Sequence, residues 1–132
     1  MANKLKIKIN LLLKNVEERM ESAEALYKLK NYKDAISRAY YAMHDVTLAI
    51  LLTKNITPKT HSGILKMFNF HFIKTKKIEY KYYKLLANAY DMRENGDYEV
   101  FYEATEEETR QLIDNAAKFI EKIKEILAKE EY

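Results

Sequence analysis

The chain has 132 residues, of which 48% are hydrophobic, so its length suits one domain with its own core. Two Gly, one Pro and no Cys exclude disulfides and thiolate chemistry and argue against a turn-rich β fold. The net charge of +3, from 23 basic and 20 acidic residues, does not by itself indicate a nucleic-acid partner. We therefore expect residues 1–132 to form a single all-α domain.

The first two predicted helices follow from apolar residues that recur every three or four positions. The first helix is predicted over residues 9–29. The second is predicted to follow Asn31, as its N-cap, and to end near Leu52. Apolar side chains cover more than one face of this second segment. We therefore expect the second helix to be enclosed by neighbours on several sides.

Three further helices complete the pattern. The third is predicted over residues 58–72, with Thr57 as its cap and Pro58 in its first turn. The fourth is predicted over residues 77–94, and Asn95-Gly96-Asp97 is typical of a helix end. The fifth is predicted to open at Thr105, with Glu108 completing a capping box. The predicted architecture is an up-and-down bundle of four to five helices.

The sequence also indicates where the protein acts. No apolar run approaches the roughly 18 residues of a membrane span, so we expect no membrane partner. The basic start lacks a long apolar region and a cleavage site, which predicts a cytoplasmic location. We see neither a His-Glu-x-x-His motif nor a glycine-rich phosphate loop. We therefore expect no cofactor and no metal.

The predicted second helix carries the residues best suited to chemistry. On a helix, Asp34, Tyr41 and Asp45 lie on the same side as Arg38, whereas His44 lies about 120° further round. A His can transfer a proton near neutral pH, and an Arg can bind a phosphate. Together they could cleave RNA without a metal, with the ribose 2′-OH as the nucleophile. The alternative is structural: Arg38 pairs with a carboxylate in a buried network, and His44 is a core or interface residue.

Residues 32–43, YKDAISRAYYAM, resemble the core signature of HEPN-domain proteins, in particular the small stand-alone prokaryotic ones. The string THSG over residues 60–63 is similar to the start of that group's short third helix. Arg93 with Asp97 and Tyr98 is similar to the element after its fourth helix. The resemblance covers about residues 8 to 128.

This resemblance implies a helical bundle that forms a homodimer. Many family members are metal-independent endoribonucleases, in which an Arg is followed, after four to six residues, by a His at the dimer interface. Several are toxins paired with a nucleotidyltransferase antitoxin. Arg38 and His44 fit this spacing as catalytic residues, with Asp34, Tyr41 and Asp45 in supporting roles. His61 and Arg93 are candidates to contact a phosphate or the groove. The alternative for Arg93 is structural, a salt bridge that fixes the loop near Gly96.

One position departs from the family pattern. Close relatives usually read Arg-Ala-Tyr-Tyr-Ala-Met-Phe-His, whereas here His44 occupies the place of the Phe and Asp45 that of the His. Three functions therefore stay open. The first is a toxin-like, RNA-cleaving homodimer that pairs through the second helix and a neighbouring helix. The second is a non-catalytic module that binds a nucleotide, an RNA or a nucleotidyltransferase partner. The third is a structural oligomerisation domain.

Overall fold

A computed structural model describes residues 2–130 of the chain; residues 1, 131 and 132 of the predicted domain lie outside it. Five α-helices and one π-helical turn account for most of this range. They are α1 (Ala2–Lys28), α2 (Tyr32–Leu52), α3 (His61–Phe68) with the π-helical turn Asn69–Ile73, α4 (Tyr80–Tyr98) and α5 (Glu106–Lys129). Since residues 2–130 contain no strand, the predicted all-α bundle is confirmed.

Helix α2 lies at the centre of the bundle, in contact with α1, α3, α4 and α5. Its small residues Ala35, Ala39, Ala42 and Ala49 are completely buried, which lets neighbouring helices approach closely. The core around α2 also contains the fully buried rings of Phe68, Phe72 and Phe119. This packing explains why apolar residues cover more than one face of α2.

The start of the third helix differs from the prediction. Helix α3 begins at His61 rather than Pro58, and Thr60 rather than Thr57 is its N-cap. The Gly63 amide donates a hydrogen bond of 2.9 Å to the Thr60 hydroxyl oxygen, which satisfies one of the free amides of the first turn. The prediction of Pro58 in the first turn was therefore wrong. The later start places the His61 side chain at the beginning of a helix that packs against α2.

The end of the fourth helix also differs. Asn95-Gly96-Asp97 was predicted to stop α4, but the helix continues through all three residues to Tyr98. The Arg93 Nε atom lies 2.9 Å from Oδ2 of Asp97, which is one helical turn further along. The two groups form an ion pair, but the N–H of Arg93 Nε does not point at the oxygen closely enough for a hydrogen bond. Such pairs favour the helix, whereas a Gly inside it costs about 1 kcal/mol. The prediction was wrong because Gly96 lies within the helix rather than after it.

The predicted caps have different outcomes. Thr105 caps α5 as predicted, since its hydroxyl accepts a 3.0 Å hydrogen bond from the Glu108 amide. The Glu108 carboxylate, however, accepts a hydrogen bond from the Tyr102 hydroxyl. Asn31 precedes α2 as predicted but makes no side-chain capping bond.

In residues 2–130, every helix is too short or too polar to span a bilayer.

Candidate functional site

Three of the residues predicted to be functional, Asp34, Arg38 and Tyr41, line a groove on the outward side of α2. Arg38 is exposed and lines a groove of about 460 Å³ between α1 and α2. The other residues lining the groove are Arg19, Leu26, Asp34, Ser37 and Tyr41. Within residues 2–130, Arg38 forms no ion pair, so the alternative of a buried pair with Asp34 or Asp45 is not observed. Its guanidinium is therefore available to an anion in the groove.

His44 and Asp45 form a hydrogen-bonded pair next to this groove. The His44 Nδ1 atom lies 3.2 Å from Asp45 Oδ1, and the Arg19 Nε atom donates a 2.7 Å hydrogen bond to Asp45 Oδ2. Asp45 is buried, with 5% of its surface exposed, so its charge needs these partners. The Asp45 carboxylate thus holds the His44 ring and is itself held by Arg19.

His61 brings a second imidazole to the site. Its ring centroid lies 5.3 Å from that of His44, and its Nδ1 atom lies 2.7 Å from the Tyr40 hydroxyl oxygen. Burial lowers the pKa of His61, and the neighbouring His44 and Arg93 lower it further. Burial raises the pKa of Tyr40 far above its usual range. His61 is therefore mainly neutral near pH 7, and the Tyr40 hydroxyl keeps its proton.

Tyr41 connects the groove to the two imidazoles. Its ring lines the groove beside Arg38, and its centroid lies 5.7 Å from the His44 ring. The guanidinium carbons of Arg19 and Arg93 lie 5.4 and 5.2 Å from the Tyr41 centroid, within the range of cation–π contacts. The two arginines, one from α1 and one from α4, therefore fix this ring from two neighbouring helices.

The structure brings most of the predicted residues into one region. Tyr41, His44, Asp45, His61 and Arg93 form a contiguous cluster, and Arg38 and Asp34 line the groove that adjoins it. Within residues 2–130, no hydrogen bond joins Arg38 to His44; Tyr41 lines the groove with Arg38, and its ring lies 5.7 Å from that of His44. In residues 2–130, no group of three His, Asp or Glu side chains is placed to hold a metal. The arrangement can transfer protons and bind an anion.

Three residues of the site were not predicted from the sequence. Arg19 binds Asp45, and the Tyr40 hydroxyl is the hydrogen-bond partner of His61. The Tyr90 ring lies 5.3 Å from the His61 ring. The scarcity of Arg, at four positions in the chain, was the one signal for Arg19. Its partner lies 26 residues further along, on another helix. Helical periodicity cannot reveal a contact of that kind.

Comparison with known proteins identifies the family of the chain. The HEPN domain profile matches residues 9–126 of the chain. Two candidate toxins of Methanocaldococcus jannaschii are 39% and 38% identical to it, over 90% and 92% of this chain and 88% and 83% of their own lengths. A UPF0332 protein of Thermotoga maritima is 32% identical over 86% of both chains. The chain belongs to the HEPN domain family.

Proposed function

We propose that this protein is a toxin-like, metal-independent endoribonuclease that acts as a homodimer. The observation that carries the proposal is the placement of His44, oriented by Asp45, next to a groove lined by Arg38, whose guanidinium forms no ion pair within residues 2–130. A proton acceptor and an anion-binding group are thus both available on α2, with the Tyr41 ring next to each of them. The relatives named as candidate toxins support the toxin-like part of the proposal.

In the proposed reaction, the ribose 2′-oxygen attacks the adjacent phosphorus. His44 Nε2 accepts the proton of the 2′-OH, because His44 Nδ1 is engaged by Asp45. Arg38 stabilises the negative charge that develops on the phosphate oxygens. The bond to the 5′-oxygen breaks, and that oxygen leaves with a proton from solvent. The products are a 2′,3′-cyclic phosphate and a 5′-hydroxyl end.

The homodimer is proposed to form across the outward side of α2. Asp34 and Arg38 are exposed there, and Ser37, Tyr41 and Leu48 are half-buried in the single chain. Self-pairing of this face would bring two copies of the site together and exclude water from both. Reduced access of water strengthens the interaction of Arg38 with a phosphate.

The alternative is a non-catalytic module that binds a nucleotide, an RNA or a nucleotidyltransferase antitoxin. One observation favours it. Asp45, at the position where the family resemblance implies a His, is buried and bound to Arg19. A carboxylate in that state is an acceptor only and cannot deliver a proton.

The test is RNA cleavage by the purified chain in the presence of EDTA. We expect the wild type to produce fragments with 2′,3′-cyclic phosphate ends, and His44→Ala to lose about 100-fold or more in rate. His71→Ala, which removes a half-buried imidazole on the π-helical turn, is the matched control and should cleave normally. Equal background rates for wild type and His44→Ala would end the enzymatic proposal, and RNA binding without cleavage would support the alternative.

A further inference from the structure

We propose that the two imidazoles of the site have opposite hydrogen-bonding roles. His44 presents a lone pair at Nε2, whereas His61 presents an N–H at Nε2 that donates to a phosphate oxygen of RNA. Tyr40 is the positioning residue that fixes the role of His61. This inference rests on the proposed function, because it assumes that RNA is the ligand of this site.

The role of His61 follows from the hydrogen bonding of Tyr40. The Tyr40 hydroxyl is buried and protonated, and within residues 2–130 its one polar partner is His61 Nδ1, at 2.7 Å. If His61 Nδ1 carried the proton, the hydroxyl hydrogen of Tyr40 would lack an acceptor. A buried donor without an acceptor costs about 1–3 kcal/mol. Tyr40 therefore donates to His61 Nδ1, and the proton of the neutral His61 ring lies on Nε2.

The role of His44 follows from its carboxylate partner. Asp45 Oδ1 lies 3.2 Å from His44 Nδ1, and an ionised carboxylate only accepts hydrogen bonds. His44 Nδ1 therefore carries a proton, and in the neutral ring the lone pair lies at Nε2. The partner of each Nδ1 atom, a carboxylate for His44 and a phenol for His61, thus gives the two rings opposite tautomers.

The surroundings of His61 keep its ring neutral. Its backbone lies in the first turn of α3, where the positive end of the helix dipole disfavours an imidazolium. The charged and titratable groups that face the ring from α2 and α4 are Tyr40, Tyr41, His44, Tyr90, Arg93 and Glu94. The effects of burial, His44 and Arg93 exceed the opposing effect of Glu94, so the pKa of His61 falls. Because the ring is already neutral near pH 7, a further rise in pH removes no proton from it, and the Nε2–H remains as a donor.

The two roles complement each other at one phosphodiester. The ring centroids of His44 and His61 lie 5.3 Å apart, a separation that a single phosphate group and its ribose can bridge. In the cleavage step, His44 Nε2 accepts the proton of the 2′-OH, and His61 Nε2–H donates to a non-bridging oxygen throughout. His61 neither gains nor loses a proton in this step.

The first experiment measures the two tautomers by NMR of the ¹⁵N-labelled imidazoles at pH 7.5. We expect the His61 proton on Nε2 and the His44 proton on Nδ1 in the wild type. Tyr40→Phe should give a mixture of tautomers at His61 and leave His44 unchanged. A His61 ring that is protonated on Nδ1, or one that Tyr40→Phe does not alter, would overturn the assignment.

The second experiment measures binding of a uridine oligonucleotide whose riboses carry 2′-O-methyl groups, which cannot be cleaved by 2′-OH attack. His61→Ala should weaken binding about tenfold, because a hydrogen bond to a charged group is lost. His61→Gln, which can place an N–H near the Nε2 position, should bind within about threefold of the wild type on the same argument. His71→Ala is the control and should bind normally.

The outcomes separate this inference from the proposed function. Unchanged binding by His61→Ala would overturn the phosphate-donor role, whether or not the wild type cleaves RNA. A wild type that fails to cleave RNA but has the expected tautomers and the expected loss on His61→Ala would reject the ribonuclease and retain His61 as a phosphate-binding donor.

Discussion

The Arg19 guanidinium on α1 donates a 2.7 Å hydrogen bond to the Asp45 carboxylate on α2, across 26 residues of chain. This bond joins the two helices beside the candidate site and offsets the charge of a buried acid. Since Asp45 also holds the His44 ring, Arg19 influences His44 without touching it. Stability and function should therefore depend on the same ion pair.

We expect Arg19→Ala and Asp45→Asn each to lower the free energy of unfolding by about 1–3 kcal/mol, because each leaves a charged or polar partner unsatisfied. The double variant should lose less than the sum, with a coupling energy of about 1 kcal/mol. Urea denaturation measures the free energy of unfolding of the wild type, the two single variants and the double variant. Glu18→Ala, at an exposed position of α1 next to Arg19, is the control. Additive losses would mean that the pair contributes nothing as a pair.

Arg38→Ala tests whether the guanidinium in the groove is functional rather than structural. Arg38 is exposed, and no ion pair holds it within residues 2–130, so the free energy of unfolding should change by less than about 0.5 kcal/mol. The rate of RNA cleavage should fall by about 100-fold, because the negative charge on the phosphate oxygens in the transition state loses the hydrogen-bond donors of Arg38. Lys33→Ala, exposed on the same helix, should retain both properties. Normal cleavage by Arg38→Ala would remove Arg38 from the mechanism.

The two threonine caps provide a matched pair of variants. Thr60 caps α3, which carries His61, and Thr105 caps α5, whose first turn is not part of the site. Thr60→Ala and Thr105→Ala should each destabilise the chain by about 1 kcal/mol. Thermal unfolding should therefore be similar, whereas binding of the 2′-O-methyl oligonucleotide should weaken in Thr60→Ala alone. Equal binding by both variants would indicate that the α3 start does not position His61.

A pH dependence should arise from Arg110, which donates two hydrogen bonds to the Glu24 carboxylate and joins α5 to α1. The hydrogen bond from Arg110 is the main cause that lowers the pKa of Glu24 from its ordinary value of 4.5. A lowered folded-state pKa stabilises the fold above pH 4.5, and this contribution disappears as the pH falls through the folded-state value.

Arg110→Ala should therefore cost about 0.5–1 kcal/mol at pH 7, because both partners are partly exposed. The difference from the wild type should shrink steadily below about pH 4 as Glu24 is protonated. Urea denaturation from pH 7 to pH 3 measures it, and Arg110→Lys should recover part of the loss. A difference that stays constant with pH would mean that packing of Arg110 on Tyr27, rather than its charge, is responsible.

The proposed dimer face can be tested by adding a charge to it. Ser37→Arg places a cation beside Arg38 on the outward side of α2, where two copies would repel each other. We expect the wild type to sediment as a dimer at micromolar concentration and Ser37→Arg as a monomer. Asn88→Arg, which adds the same charge at an exposed position of α4, should remain a dimer. A monomeric wild type would contradict the proposal directly.

Local signals in the sequence predicted well wherever the determining contacts are also local. The three- to four-residue periodicity located all five helices, and the Thr105 cap was found because its partner amide lies three residues away. The wide apolar surface of α2 identified the central helix. The prediction at Pro58 failed because Thr60, rather than Thr57, caps α3, and the prediction at Gly96 failed because α4 continues through it with the Arg93–Asp97 ion pair alongside.

The candidate site was predicted in its components rather than in its arrangement. The residues on α2 could be named because helix geometry fixes their directions. The hydrogen bonds of Asp45 to Arg19 and of Tyr40 to His61 join residues 26 and 21 positions apart on different helices. Such pairings depend on how the helices pack, and one sequence does not contain that information in any periodic pattern.

The side chains around the two imidazoles come from α1, α2, α3 and α4, with Arg19 the first of them along the chain and Glu94 the last. A translation product truncated before α4 would lack the Tyr90 ring and the Arg93 charge beside His61. Helices α1 to α3 alone would therefore carry only part of the centre, and the set of side chains around the two imidazoles becomes complete only when α4 has docked on α2.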